Sequence, residues 1–195
     1  MGPKIGPFLF STAMALKSTI FKAELAVADI DRHYYHDHAL TIARHPSETD
    51  ERMMVRVIAF ALCADERLEF GKGLSDTDEP DLWQKDYGGE IKTWVEVGLP
   101  DERRLLRAAG RAERVVVVAY GGAAATLWWK GVANKLTRLA NLTVLHLPAE
   151  GTRALAALVQ RTMRLQVAIQ EGNVLVTSDD GAVEIQPATW RLAAN

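Results

Sequence analysis

Ile91-Lys92-Thr93-Trp94-Val95-Glu96-Val97-Gly98, followed by Leu99-Pro100-Asp101, is the stretch on which the fold turns. Ile91, Thr93, Val95 and Val97 fall on one face and Lys92, Trp94 and Glu96 on the other, the period of two of a β-strand. Leu99-Pro100-Asp101 ends that strand and opens a helix reaching about Arg111. Val115-Val116-Val117-Val118-Ala119-Tyr120 is continuously apolar, the mark of a strand covered on both faces. Gly121-Gly122 breaks it, a helical segment spans Ala123 to Leu139, and Leu142 to Leu147 is strand again. Strand, helix, strand, helix, strand implies parallel pairing with right-handed crossovers.

Towards the N-terminus, residues Ser18 to Ala28 alternate in the same way, Asp29-Ile30-Asp31-Arg32 supplies turn chemistry, and Tyr34 to Ala43 returns as the second strand of a hairpin. Pro46 and Ser47 open a helix, with Ser47 as the expected N-cap and Asp50 in a weak capping box. Its apolar run to about Ala64 predicts deep burial. Arg67 to Lys72 reads as a short strand, residues 75–81 as a polar loop, and Gly88-Gly89 as a turn. Towards the C-terminus, a helix from Gly151 to about Met163 leads to Leu165–Ile169, Val174–Val176 and Val183–Ile185. These form a small antiparallel meander through Glu171-Gly172-Asn173 and Asp179-Asp180-Gly181. The predicted architecture is one α/β domain over residues 14–195, a mixed central sheet flanked by helices. Residues 1–13 read as a disordered extension, with Met14 as the natural start.

The totals exclude several classes. The chain has 195 residues, 48% hydrophobic and 25% charged, with a formal net charge of -2. There is no global positive field to announce nucleic acid, although a local basic face stays open. Cys63 is the one cysteine. It sits in an apolar helical run, which predicts a buried inert thiol in a reducing compartment. No run approaches the ~20 apolar residues of a membrane span. The expectation is a cytoplasmic monomer without a membrane role, with a protein partner left open.

Three acidic positions stand out, the third shared by Asp78 and Glu79. Glu51 shares a helix face with Met54, Val55, Ile58 and Leu62, so it lies in the first turn of a buried stripe. Glu96 lies late in a strand, where α/β sheets place their sites. Asp78 and Glu79 lie on the polar loop before it. The alternative for each is ordinary: a rim carboxylate, a strand-end glutamate reaching water, turn residues. Convergent carboxylates would suit Mg²⁺ or Mn²⁺, which take oxygen ligands and can generate hydroxide beside a phosphodiester. Arg103, Arg107 and Arg111 form a stripe at four-residue spacing, and Lys130, Lys135 and Arg138 follow Trp128-Trp129. These fit phosphate contact and base stacking, or solvated helix faces and core tryptophans. His36 and His38 share a strand face but lack a third ligand in register, so they read as surface histidines. There is no phosphate-binding glycine loop and no nucleophile elbow.

Several blocks resemble the bacterial YaeQ family. They are His45-Pro46-Ser47-Glu48-Thr49, Glu51-Arg52-Met53-Met54, Ala64-Asp65-Glu66-Arg67-Leu68, Asp78-Glu79-Pro80, Glu96-Val97-Gly98-Leu99-Pro100-Asp101-Glu102-Arg103-Arg104, Trp128-Trp129 and Asn141-Leu142. The resemblance runs from about Met14 to the end. It implies a variant of the PD-(D/E)XK, restriction-endonuclease-like core, with the N-terminal hairpin and C-terminal strands added to it. The order helix, three strands, helix, strand fits the stretch from Ser47 to Tyr120. Carried over by residue, it implies Asp78 (or Glu79) and Glu96 as the two acids, Glu51 as the helix acid, and a Mg²⁺ or Mn²⁺ ion held by Glu51, Asp78, Glu79 and Glu96. The lysine of Glu-x-Lys falls on Gly98, so Arg103 is the expected substitute cation. Ser47, Arg107 and Tyr120 are the expected nucleic-acid contacts. The function implied is a metal-dependent nuclease-like protein, or a binding or regulatory protein that has lost catalysis.

Overall fold

The computed structural model describes residues 17–72, 74 and 78–194. The expected extension over residues 1–13 and the middle of the polar loop, residues 75–77, lie outside the described residues. Strands β1 (Thr19–Asp29) and β2 (Tyr34–Arg44) form the predicted hairpin, and helix α1 (Asp50–Leu62) follows. Then come β3 (Leu68–Phe70), β4 (Leu82–Lys85), β5 (Ile91–Val97), α2 (Glu102–Ala109) and β6 (Ala112–Ala119). The chain closes with α3 (Ala123–Val132), a 3-10 turn (Ala133–Leu136), β7 (Leu142–His146), α4 (Ala149–Ala156), β8 (Thr162–Gln170), β9 (Asn173–Ser178), β10 (Gly181–Ile185) and β11 (Ala188–Arg191).

The strands form two mixed sheets rather than the one central sheet expected. One has the order β10-β9-β8-β1-β2, the other β11-β7-β6-β5-β4-β3. The physical reason is visible in the burial patterns. Along β1, Phe21, Ala23, Leu25 and Val27 are buried while Lys22 and Glu24 between them are exposed. That alternation belongs to a sheet covered on one face. Along β6, Val115 to Ala119 are all buried, as in a sheet covered on both. The two patterns cannot share one environment, so the hairpin joins the C-terminal meander, with β1 parallel to β8 in register from Lys22↔Thr162 to Asp29↔Ile169.

Four layers result. The buried face of the five-stranded sheet packs on α1 and α4, which in turn pack on the Val95, Val97, Val116 and Val118 face of the six-stranded sheet. Trp94, Val115, Val117 and Val144 line the opposite face under α2 and the tryptophans of α3. Helix α1 is thus buried on nearly all sides, Met53 to Ala61 without exception, which its apolar run predicted. Among the described residues no helix is long and apolar enough to cross a membrane.

Two boundaries move. The cap of α1 is Thr49, whose Oγ1 accepts the Arg52 N–H at 3.1 Å, and Ser47 instead pairs with His45 Nδ1. The helix starts later because Glu48 turns inward beneath it: its carboxylate is buried, and its N–H donates to the His45 carbonyl in a turn. Asp50 is the first helical residue and pairs with Arg44 rather than closing a capping box. Helix α4 ends at Ala156, not near Met163. The apolar alternation Met163, Leu165, Val167, Ile169 already has strand period, and β8 absorbs it. Gly151 lies inside α4, where a Cβ would come within 3.0 Å of Ile185 Cγ1, so the glycine sets the helix against β10.

Candidate functional site

β5 runs parallel to β6 and antiparallel to β4, with Leu82↔Val95 in register. The Asp81 N–H donates to the Val95 carbonyl at 3.1 Å, so Asp81 lies beside Glu96 where the two strands meet. A cleft of about 520 Å³ opens there, at the C-terminal end of β5. It is lined by Arg52, Asp81, Glu96, Gly98, Arg104 and Tyr120, with Leu74, Val97, Leu99 and Pro100 at its apolar walls.

Glu96 is 3% exposed, on the same strand face as Trp94. Its Oε1 accepts from Trp94 Nε1 at 2.6 Å and from Arg104 Nε at 2.7 Å. Burial pushes its carboxyl above the usual carboxylate range, while Arg104 and the Trp94 N–H oppose the shift. Asp81, 4% exposed, accepts the Val97 N–H at 2.8 Å and Arg52 Nη2 at 2.6 Å. Arg52 also donates to Glu48 Oε1 at 2.8 Å, and Glu48 receives Arg56 through Nε and Nη2 at 2.8 and 2.7 Å. The result is a charge chain, Arg56–Glu48–Arg52–Asp81, running from the interior to the cleft.

Tyr120 closes the cleft at the end of β6, just before Gly121 and Gly122 turn the chain with φ of +107° and +60°. Burial raises its hydroxyl pKa, with Glu51, Glu48 and Asp81 adding and Arg52 opposing. Its ring lies over Gly98. That glycine also has φ of +107°, and a Cβ there would sit 4.0 Å from Tyr120 Cε1. The chain leaves strand geometry at Gly98, so a lysine at this position would need a left-handed backbone. Gly98→Lys is therefore expected to lose about 1–2 kcal/mol in urea unfolding. A neutral result would show that the backbone relaxes freely there.

The expected site residues are distributed unequally. Glu96 and Tyr120 reach the cleft. Glu51 is half-buried and accepts from Thr152 Oγ1 of α4 at 2.6 Å, without lining the cleft. Asp78 is exposed and pairs with Arg107 Nη1 at 3.1 Å. Glu79 pairs with Lys72, and its carbonyl accepts Arg104 Nη2 at 2.7 Å. Arg103 is exposed and does not line the cleft; the cation at Glu96 is Arg104. Helix phase explains the difference. Leu105 and Ala108 mark the buried side of α2, Arg104 stands four residues before Ala108, and Arg103 lies ~200° away from Leu105. Arg111 sits over the Trp94 ring at 5.2 Å. Trp128 and Trp129 pack against the core, as the ordinary reading had it. Ser47 is exposed and bonded to His45. Among the described residues no group of three His, Cys, Asp or Glu side chains is placed to hold a metal ion. His36 and His38 do share one strand face, with ring centroids 4.8 Å apart and the rings tilted by 37°, and Cys63 is buried with its thiol pushed up by desolvation.

Three contributors escaped the sequence reading: Asp81, Arg52 and Arg104. The signal for Asp81 was the short apolar strand that starts at Leu82, whose pairing with β5 brings the residue before it beside Glu96.

The YaeQ protein family model matches residues 14–187. This chain belongs to the YaeQ family. It is 44% identical over 178 residues to the Uncharacterized protein YaeQ of Escherichia coli (strain K12), covering 91% of this chain and 98% of the relative. The protein of the same name from Salmonella typhi is 46% identical over the same length. Two crystal structures of family members share the fold. The YaeQ protein from Xanthomonas axonopodis pv. citri superposes with a TM-score of 0.88 at 50% identity, covering 91% of this chain and 99% of that one. The YaeQ protein from Pseudomonas syringae gives 0.86 at 41% identity, covering 90% and 97%.

Proposed function

We propose that this YaeQ chain is a nuclease-like protein whose cleft binds the phosphodiester backbone of nucleic acid, with Arg52 and Arg104 as the phosphate contacts and Tyr120 as the ring beside them. The observation that carries the reading is the convergence of two guanidinium groups and two strand-end carboxylates on one cleft. The order α1, β3, β4, β5, α2, β6 supports a restriction-endonuclease-like core. So does Pro80-Asp81, which spells the first half of PD-(D/E)XK, with Glu96 in the place of the second acid.

A resident Mg²⁺ or Mn²⁺ ion does not fit the arrangement. Asp81 and Glu96 each already have a guanidinium on one carboxylate oxygen. Glu51, the third acid, is turned to Thr152. The lysine position is a glycine held in a conformation that disfavours lysine. The binding reading therefore ranks above the catalytic one. A metal-dependent phosphodiesterase remains the second reading, favoured by the register that sets Asp81 beside Glu96.

Fluorescence anisotropy with labelled single-stranded DNA, duplex DNA and RNA tests both. Binding is expected to weaken about tenfold in Arg104→Ala. The slope of log K against log salt should be about -1.4 for two phosphate contacts on a single strand. No binding to any of the three at about 50 mM salt would remove the reading. Mn²⁺-dependent cleavage that disappears in Glu96→Gln would promote the second reading over the first.

A further inference from the structure

We infer that the guanidinium groups of Arg52 and Arg104 stand where a divalent cation would stand, so that the native cleft is an arginine-charged receptor with a latent cation site beneath it. The inference rests on the binding reading above and states what supplies its positive charge.

Mg²⁺ and Mn²⁺ recruit oxygen, from carboxylates and backbone carbonyls alike. The cleft offers such a set: Asp81 Oδ1, Glu96 Oε1, and the carbonyls of Val97 and Glu79. Arginine holds every one of them. Arg52 Nη2 lies 2.6 Å from Asp81 Oδ1 and 3.5 Å from the Val97 carbonyl. Arg104 Nε lies 2.7 Å from Glu96 Oε1, and its Nη2 lies 2.7 Å from the Glu79 carbonyl. Each guanidinium thus joins one carboxylate to one carbonyl, as a bound ion would.

Neither arginine is a casual occupant. Arg52 is tethered at its other nitrogen by Glu48, and Glu48 is fixed by the buried Arg56. The second oxygen of Asp81 is taken by the Val97 N–H. Swinging Arg52 out would leave the buried Asp81 without its cation and take one of the two arginines from Glu48, which is costly for buried carboxylates. Arginine stays charged at every working pH, so the positive charge is permanent and needs no metal. An entering divalent ion meets two fixed like charges, whereas a phosphate meets two planar donors. The acids are positioning residues here: they aim the guanidiniums, and they do not face the ligand as bases.

The test compares Mn²⁺ binding by the wild-type chain, Arg104→Gln and Arg104→Gln/Glu96→Gln, read by electron paramagnetic resonance of free Mn²⁺ and by thermal unfolding. The wild type is expected to bind no Mn²⁺ tighter than about 10 mM, and its Tm should move by less than about 1 °C at about 5 mM ion, an unsaturated site adding little stability. Arg104→Gln should bind at least about tenfold tighter and gain about 3 °C or more, and the gain should vanish in the double variant. Micromolar binding by the wild type would overturn the inference, and this arm does not depend on any variant folding. A folded Arg104→Gln that binds Mn²⁺ no better than wild type would overturn it as well. The binding reading fails separately: if the wild type ignores nucleic acid, that reading falls while the Mn²⁺ comparison still reports who occupies the oxygens.

Discussion

Replacing Glu48 with alanine is expected to cost about 3–5 kcal/mol of stability, enough to consume a large share of the total for a domain of this size. Glu48 is 5% exposed and sits between two arginines. Arg56, 1% exposed, gives it two bonds and has the Ala43 carbonyl as its further acceptor. Arg52 gives it a third. Without the carboxylate, Arg56 keeps its charge, because arginine cannot shed its proton in response to burial. A charge stranded in the interior costs far more than the pair contributes, and this asymmetry sets the size of the effect. Urea unfolding at neutral pH checks it, with Asp78→Ala as the contrast. Asp78 is exposed and its ion pair with Arg107 lies at the surface, so its loss should stay within about 0.5 kcal/mol. Equal effects in the two variants would mean that water reaches Glu48 and that the charge chain is not dry.

Much of this fold was legible because its elements announce themselves by period. The alternation of β1, the apolar run of β6 and the buried helix α1 all stand where the pattern put them. The division into two sheets was less legible. It depends on which strands share a covered face, and β1 finds β8 across more than 130 residues of chain. The site was legible in part. Glu96 could be placed because it breaks an apolar strand. Asp81 could not, because its strand is four residues long and Asp-Glu-Pro-Asp offers three acids in a row of four. Only pairing with β5 chooses among them. Arg103 and Arg104 are equivalent as letters and differ only in helix phase. Sequence reports charge well but reports pairing poorly: Asp78, Glu79 and Glu96 read as members of a convergent anionic cluster, yet each has a cation beside it, as has Asp81, which the reading left out.

That dependence on strand pairing leads to Gly71. A methyl group there is expected to cost about 3 kcal/mol, at the upper end for overpacking, and to disturb the cleft at the same time. Gly71 follows β3, and its N–H donates to the Asp81 carbonyl at 3.0 Å. A Cβ at this position would lie 2.1 Å from the Pro80 carbonyl oxygen. The obstacle is backbone, not the end of a pliable side chain, so the segment carrying Pro80 and Asp81 would have to retreat. Asp81 cannot retreat cheaply, because its carboxylate is anchored on the Val97 N–H and on Arg52. The strain therefore passes to the charge chain, and nucleic-acid affinity should fall together with stability. Gly89→Ala separates this from ordinary glycine effects. Gly89 has φ of +87° with nothing within 4 Å of a new Cβ, so its cost is conformational alone, about 1–2 kcal/mol, and the cleft should be untouched. Urea unfolding and anisotropy on both variants measure the difference. If Gly71→Ala proved as mild as Gly89→Ala and kept full affinity, the close approach of β3 to Pro80 would not be what holds Asp81 beside Glu96.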